Sequence, residues 1–169
     1  YKILKMNYIN RSENYFKHSE ADIVYLETSK VKPISADDVV IFLHGQMLAV
    51  TVEDCNNVIV PSSCAVLSNL DADLVDKWFL IYSINKFTSS KLFFEQYSIL
   101  GTSLRVMQIN ALKNLKLTLP KLDVQKTIGE CYKKICDKRR YNRELIEHEC
   151  DLEDDDLAKI VSEILKEEN

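Results

Sequence analysis

Apolar residues change their spacing along the chain, and the changes divide it. Up to about residue 120 they come in short runs. Ile3-Leu4-Lys5-Met6 and Ile23-Val24-Tyr25-Leu26 are short strand candidates. Val39-Val40-Ile41-Phe42-Leu43 is continuous and rich in β-branched residues, the pattern of a buried strand. It stops at His44-Gly45, a turn, and Leu48-Ala49-Val50-Thr51-Val52 resumes extended structure. Asn56-Asn57 is a second turn signal. Val58-Ile59-Val60 and Cys64-Ala65-Val66-Leu67 follow, parted by Pro61-Ser62-Ser63. The spacing then becomes helical. Asp71 or Asp73 is placed to cap a helix that carries Leu74, Trp78, Ile81 and Tyr82 on one face. A second helical stretch carries Leu92, Phe93 and Tyr97, and Gly101-Thr102-Ser103-Leu104-Arg105 reads as a polar loop. Leu115-Lys116-Leu117-Thr118-Leu119 alternates with period two, as a half-buried strand does, and Pro120 ends it.

From Asp123 the pattern is that of a long helix. Val124, Ile128, Cys131, Tyr132 and Ile135 follow helical spacing; Lys138-Arg139-Arg140 interrupts the stripe and Leu145-Ile146 restores it. A helix from Asp123 to Cys150 would be about 42 Å long at 1.5 Å per residue. That length outruns a small domain, so the stripe calls for another surface. Its early part, Val124 to Tyr132, is expected to pack in part on the chain's own domain, and the remainder on a partner helix. Gly129 costs a helix about 1 kcal/mol relative to Ala, which points to a close approach by another backbone. Asp154-Asp155-Asp156 suits a helix N-terminus, so a separate short terminal helix is expected to carry Leu157, Ile160, Val161, Ile164 and Leu165. The fold class is therefore α+β, with a compact mixed domain over residues 1–120 and a helical arm over 121–169. No apolar run approaches a membrane span.

Charge sharpens this division. The 169 residues hold 22 Lys+Arg and 26 Asp+Glu, a net of −4, which by itself argues against a generally basic nucleic-acid binder. The balance is uneven, however. Residues 1–120 are neutral, residues 121–143 carry a net +5, and residues 144–169 a net −9. The acidity belongs to the arm's end, and a neutral domain can still bind DNA through a local patch, so the net charge does not exclude it. The reversal along the arm suits antiparallel pairing of two arms, with the basic stretch of one beside the acidic end of the other.

The residues offer little catalytic chemistry. The three glycines, Gly45, Gly101 and Gly129, cannot make a dinucleotide or phosphate loop, and no nucleophile elbow or metal-spaced His pair occurs. Asp37-Asp38 precedes a strand, where a turn explains it. His148-Glu149-Cys150 groups three possible ligands, but adjacent helical residues point in different directions, so no metal site is expected. Five cysteines with no Cys-x-x-Cys make a poor disulfide framework and fit reduced thiols in the cytoplasm. The chain opens on Tyr1-Lys2-Ile3-Leu4-Lys5, with neither an initiator Met nor a signal-peptide pattern, and reads as a piece of a longer protein.

The order of these features carries a resemblance. A strand ends in His44-Gly45, Val60-Pro61-Ser62-Ser63-Cys64 leads into another, an aromatic-bearing helix follows, and then the Gly101-Thr102-Ser103 loop. The closing segment runs from Ile109 through Leu115-Lys116-Leu117-Thr118-Leu119-Pro120 into Leu122, Gln125 and Ile128. This resembles the target-recognition domain of type I restriction–modification specificity subunits. That family ends the domain with a leucine-rich strand, a Pro-x-Leu segment and a Gln-x-x-Ile helix start, followed by a spacer helix. Lys121 stands where the family often has a second proline, and Ala36-Asp37-Asp38 where it often has a Gly-Asp turn. A full subunit has two recognition domains and two spacer helices; this chain has room for one of each and resembles a half-subunit.

The resemblance implies a non-catalytic reader of half a split duplex-DNA target, with a coiled-coil-forming arm. It implies no cofactor in this chain: S-adenosylmethionine and ATP belong to a methyltransferase subunit and a restriction subunit that it positions. For a half-subunit it implies a homodimer, whose two-fold symmetry matches paired half-sites. A reader needs Lys or Arg for phosphates and planar polar groups for base edges. The candidates are Lys5, Asn7, Asn10 and Arg11 near the first strand, His44 and Gln46 beside the Gly45 turn, Lys86 and Lys91 between the helical stretches, and Thr102, Ser103, Arg105 and Gln108 around the Gly101 loop. Ile128, Tyr132, Ile135, Leu145 and Ile146 are the candidate partner-helix contacts. A dimeric coiled-coil adaptor with no DNA role is the alternative, and an enzyme whose site the motifs do not reveal is a second.

Overall fold

The computed structural model describes residues 2–3, 9–10, 15–16, 33–52, 57–100 and 104–167. Its centre is a three-stranded antiparallel sheet of β4 (Val39–Phe42), β5 (Leu48–Val50) and β7 (Cys64–Leu67), in the order β5-β4-β7. Every residue of β4 is buried, because alternate side chains feed two cores. Val39 and Ile41 face a core completed by Ala49, Ala65 and the helices. Val40 and Phe42 face a second core with Leu48, Val50, Val58 and Cys64. The register agrees: Ile41 stands opposite Ala49 and Ala65, and Phe42 opposite Leu48 and Cys64. The continuous apolar run is thus a strand covered on both faces. Smaller pairings flank it. β1 (Lys2–Ile3) runs parallel to β6 (Val58–Ile59), and β2 (Ile9–Asn10) pairs antiparallel with β3 (Tyr15–Phe16). The Ile23–Leu26 candidate lies outside the described residues.

Two helices cover the first core, α1 (Lys77–Lys86) and α2 (Thr88–Tyr97), followed by the hairpin β8 (Ser98–Leu100) and β9 (Arg105–Met107). The helix start differs from the sequence expectation. Asp76, not Asp71 or Asp73, caps α1, its Oδ1 accepting from the Phe79 N–H at 2.8 Å. Asp71 is occupied by its own turn: its Oδ1 accepts from Asp73 N–H and its carbonyl from Leu74 and Val75 N–H. Leu74 is therefore off the helix and exposed. On α2 the buried residues are Ser90 and Phe94, while Leu92 is exposed.

The Leu115–Leu119 segment is not a strand. Among the described residues it forms no ladder, although Leu115 and Leu117 pack on the first core. The period-two alternation is real, but it reflects an extended segment lying across a core, which needs no hydrogen-bonded neighbour. A short helix that the pattern does not suggest, α3 (Ile109–Leu112), precedes it.

The arm is one helix, α4 (Leu122–Glu167), 46 residues and so about 69 Å long. It does not break before Asp154. No Pro or Gly occurs after Gly129, and each Asp in a helix interior costs only about 0.7 kcal/mol or less. Side-chain pairs along the helix, Arg143–Glu147 and Lys159–Asp156 at 3.0 Å each, add modest support. The structure is α+β, and no helix of the described residues is long and apolar enough to cross a membrane.

The first turns of α4 lie on α1. Tyr132 and Cys136 are buried, and the Tyr132 ring meets Tyr82 edge-on at 5.1 Å and Trp78 at 6.4 Å. The sequence sets Tyr132 at the end of the part expected to pack in part on its own domain and also among the partner-helix contacts; the structure puts it in its own domain's core, not on a partner. Ile128 is half-buried. Only Ile135, Leu145 and Ile146 of the expected partner stripe are open, at 48, 45 and 58% exposure.

Candidate nucleic-acid interface

The structure brings the Gly45 turn and the β8–β9 hairpin onto one rim. Gly45 adopts a φ of +75°, a left-handed conformation that glycine takes without strain. Its N–H donates to the Arg105 carbonyl at 2.7 Å, and Met107 N–H donates to the Leu43 carbonyl at 2.9 Å. His44 forms an antiparallel bridge with Val106. His44, Gln46 and Arg105, far apart in sequence, therefore share an edge. Gln108 follows β9 directly and is exposed.

A second set converges beside it. Gln46, Lys86 and Lys91 line a cleft of about 410 Å³ with a floor that includes Ile84 and Phe94. Glu95 also lines the cleft, so it is not purely cationic. The end of α1 is held there by Asn85. Its Oδ1 accepts from the Ala49 N–H at 2.7 Å and its Nδ2 donates to the Ala49 carbonyl at 2.8 Å. The amide thus takes the place of a neighbouring strand on the free edge of β5.

The uncapped start of α2 at this cleft is absent from the sequence expectations. The chain turns out of α1 at Phe87, whose extended backbone starts α2 with no side-chain cap. Lys86 and Lys91 bracket this uncapped start, and both line the cleft. The signal for it is Lys86-Phe87-Thr88-Ser89-Ser90-Lys91, which offers hydroxyls but no Asp or Asn.

Arg105 is more constrained than a solvated loop residue. Its Nη1 donates to the Glu95 carbonyl at 3.2 Å and to Ser98 Oγ at 3.3 Å. The guanidinium therefore ties the hairpin to the end of α2, with further N–H donors beyond this nitrogen. Lys5, Asn7, Arg11, Thr102 and Ser103 lie outside the described residues. Asn10 is placed on β2, but its side chain is not described.

A second cleft, about 520 Å³, is lined by Asp37, Asp38, Asp76, Lys77 and Lys126 among others. Two of its carboxylates serve the backbone. Asp38 Oδ2 accepts from Ser35 N–H at 2.8 Å, Asp76 caps α1, and Lys77 Nζ donates to the Ala36 carbonyl at 2.9 Å. This bears out the turn reading of Asp37-Asp38. Among the described residues no group of three or more His, Cys, Asp or Glu side chains is arranged to hold a metal ion.

Of the described cysteines, Cys64 and Cys136 are buried and Cys131 and Cys150 exposed. Burial pushes the Cys64 thiol from 9.0 up to about 11, opposed by a hydrogen bond with the Ser63 hydroxyl. At pH 8 only about one Cys64 in a thousand is then a thiolate. Iodoacetamide at that pH is expected to modify Cys131 and Cys150 in the folded chain and to spare Cys64, as peptide mass mapping would show. Because the folded value lies above the unfolded one, the contribution of this thiol to stability is full below pH 9 and fades toward pH 11.

No family model and no curated protein matches the chain.

Proposed function

We propose that this chain is the non-catalytic DNA-specificity half-subunit of a type I restriction–modification system, reading one half-site of duplex DNA through the rim and cleft described above. The observation that supports this reading best is the convergence of His44, Gln46, Lys86, Lys91 and Arg105 at one edge of the domain from four separate segments. These are the residue types a reader needs: cations for phosphates, planar amide and guanidinium groups for base edges. Methylation and cleavage then fall to a methyltransferase subunit and a restriction subunit, with S-adenosylmethionine and ATP bound there. The arm supplies the second element, pairing two copies so that their reading edges face paired half-sites.

Fluorescence anisotropy of the full chain on duplex DNA tests this. Retention of duplex at low salt is expected, with co-purification of a methyltransferase subunit. The double change Lys86→Ala, Lys91→Ala is expected to flatten the slope of log affinity against log salt by about 2, near 0.9 for each phosphate that a lysine no longer neutralises. Arg105→Ala is expected to weaken binding as well, but it also unties the hairpin, so the lysine pair is the cleaner test. No binding to any duplex at low salt, with the arm still dimeric, would favour the adaptor reading.

A further inference from the structure

The joint between the arm and the domain is built around one buried polar side chain. Gln125, in the first turn of α4, is 2% exposed. Its Oε1 accepts from the Asp76 N–H at 3.1 Å, and its Nε2 donates to the Leu74 carbonyl at 3.1 Å and the Pro120 carbonyl at 2.8 Å. Both amide protons and the carbonyl are thus engaged, on three backbone groups from two separate segments. One segment is the N-cap of α1; the other is the residue that leads into α4. One turn further on, Gly129 lets α4 approach so closely that an added Cβ would lie 2.9 Å from Phe79 N. Tyr132 and then Cys136 close the contact.

Apolar packing alone leaves a helix free to slide and swivel, because dispersion and burial are not directional. A buried amide with three short bonds removes that freedom, since any rotation of the arm unmakes a bond with no water to replace it. We infer that Gln125 is the positioning residue that locks the direction of the arm relative to the reading edge. Its hydrogen bonds go to none of the described DNA candidates, and it acts only through the joint. In a dimeric reader the separation of the two half-sites follows from the protein's own geometry. A fixed joint at the root of a 46-residue helix converts angle into distance at its far end. This consequence for DNA rests on the proposed function; the locked joint itself does not.

Two spin labels measure it on the full chain. One sits on the native exposed Cys150 and the other on Gln96→Cys, in a background of Cys55→Ser and Cys131→Ser, with labelled chain diluted into unlabelled chain. A narrow distance distribution is expected for the parent. Gln125→Ala is expected to broaden it by about twofold or more, while circular dichroism still shows the long helix. Gln125→Met, which keeps the volume and removes the bonds, is expected to do the same and carries the test where the alanine variant does not fold. Val124→Ala, in the same turn on the exposed face, is expected to leave the width unchanged. A broad distribution in the parent, or an unchanged width in a folded Gln125 variant, overturns the locked joint. On DNA, a series of duplexes with half-sites at different separations is expected to show a sharp optimum for the parent and a flattened one for the variant. Broadening of the spin-label distances without DNA binding by the parent would leave the joint standing and remove the DNA reading.

Discussion

Replacing Gly129 by Ala is expected to destabilise the chain by about 1–3 kcal/mol, the reverse of the effect the same change has in an open helix. In an exposed helix interior Ala is better than Gly by about 1 kcal/mol. Here the new methyl group would land on Asp76 Oδ1 and 2.9 Å from Phe79 N. The Asp76 carboxylate cannot step aside without releasing the Phe79 N–H that it caps at 2.8 Å, a loss of about 1 kcal/mol. The Phe79 backbone cannot move at all without shifting α1, and forcing a methylene into packed structure costs about 1–3 kcal/mol. The clash and the lost cap together outweigh the propensity gain. For a chain of this length the melting temperature is expected to fall by about 2–12 °C. Asp76→Ala alone should cost about 1 kcal/mol through the cap. The double variant should lose less than the two single losses combined, because removing the carboxylate also removes one of the two collisions. A stabilised Gly129→Ala variant would mean that α1 and α4 are not in contact at this turn.

Gly129 also shows how far a sequence pattern reaches. Its rarity in a helical stripe signals a close backbone approach; the partner that approaches is the start of α1, much earlier in the chain, and no local pattern names it. Gln125 behaves the same way. It is legible as part of a helix-start motif, but its three bonds go to residues that only the fold brings near. Strand β4 is legible because a continuous β-branched run has one comfortable home, between two cores. The Leu115–Leu119 alternation misleads, since period two reports which side is buried and says nothing about a neighbour's hydrogen bonds. The cap of α1 is misplaced for a related reason: Asp71, Asp73 and Asp76 are all good caps, and tertiary packing chose the last. The helical stripe of the arm raises the same ambiguity. Periodicity shows that a face is covered without showing by what, and Tyr132 is covered by Trp78 and Tyr82 of its own domain.

What lies beyond that covered stretch bears on assembly. Past Cys136 the arm carries Leu145, Ile146, Leu152, Leu157, Ile160, Val161 and Ile164, all exposed in the single chain. An isolated polar-sided helix of this length gains little from propensity alone, and stable helices of this kind cover their apolar face. The opposite charges of residues 121–143 and 144–169, +5 and −9, favour a second arm laid antiparallel as the cover.

Removing residues 144–169 separates the two roles assigned to the arm. The shortened chain keeps Gln125, Gly129, Tyr132 and Cys136, so the domain and its joint are expected to stay folded. It loses the exposed apolar stripe from Leu145 onward and the whole acidic segment. Sedimentation velocity is expected to show a dimer for the full chain and a monomer for the shortened one. On a duplex with two half-sites the loss of linkage is expected to lower affinity by about 10²–10⁴-fold, the usual gain from joining two binding events. Net charge moves the other way, from −4 to +5, because residues 1–120 are neutral and residues 121–143 carry +5. Non-specific binding at low salt is therefore expected to rise as paired-site affinity falls. The two effects have opposite signs and different salt dependence, so one titration at two ionic strengths distinguishes them. A shortened chain that remains dimeric would move the assembly surface off the arm, and one that binds paired and single half-sites alike, as the full chain does, would take away the arm's part in reading DNA.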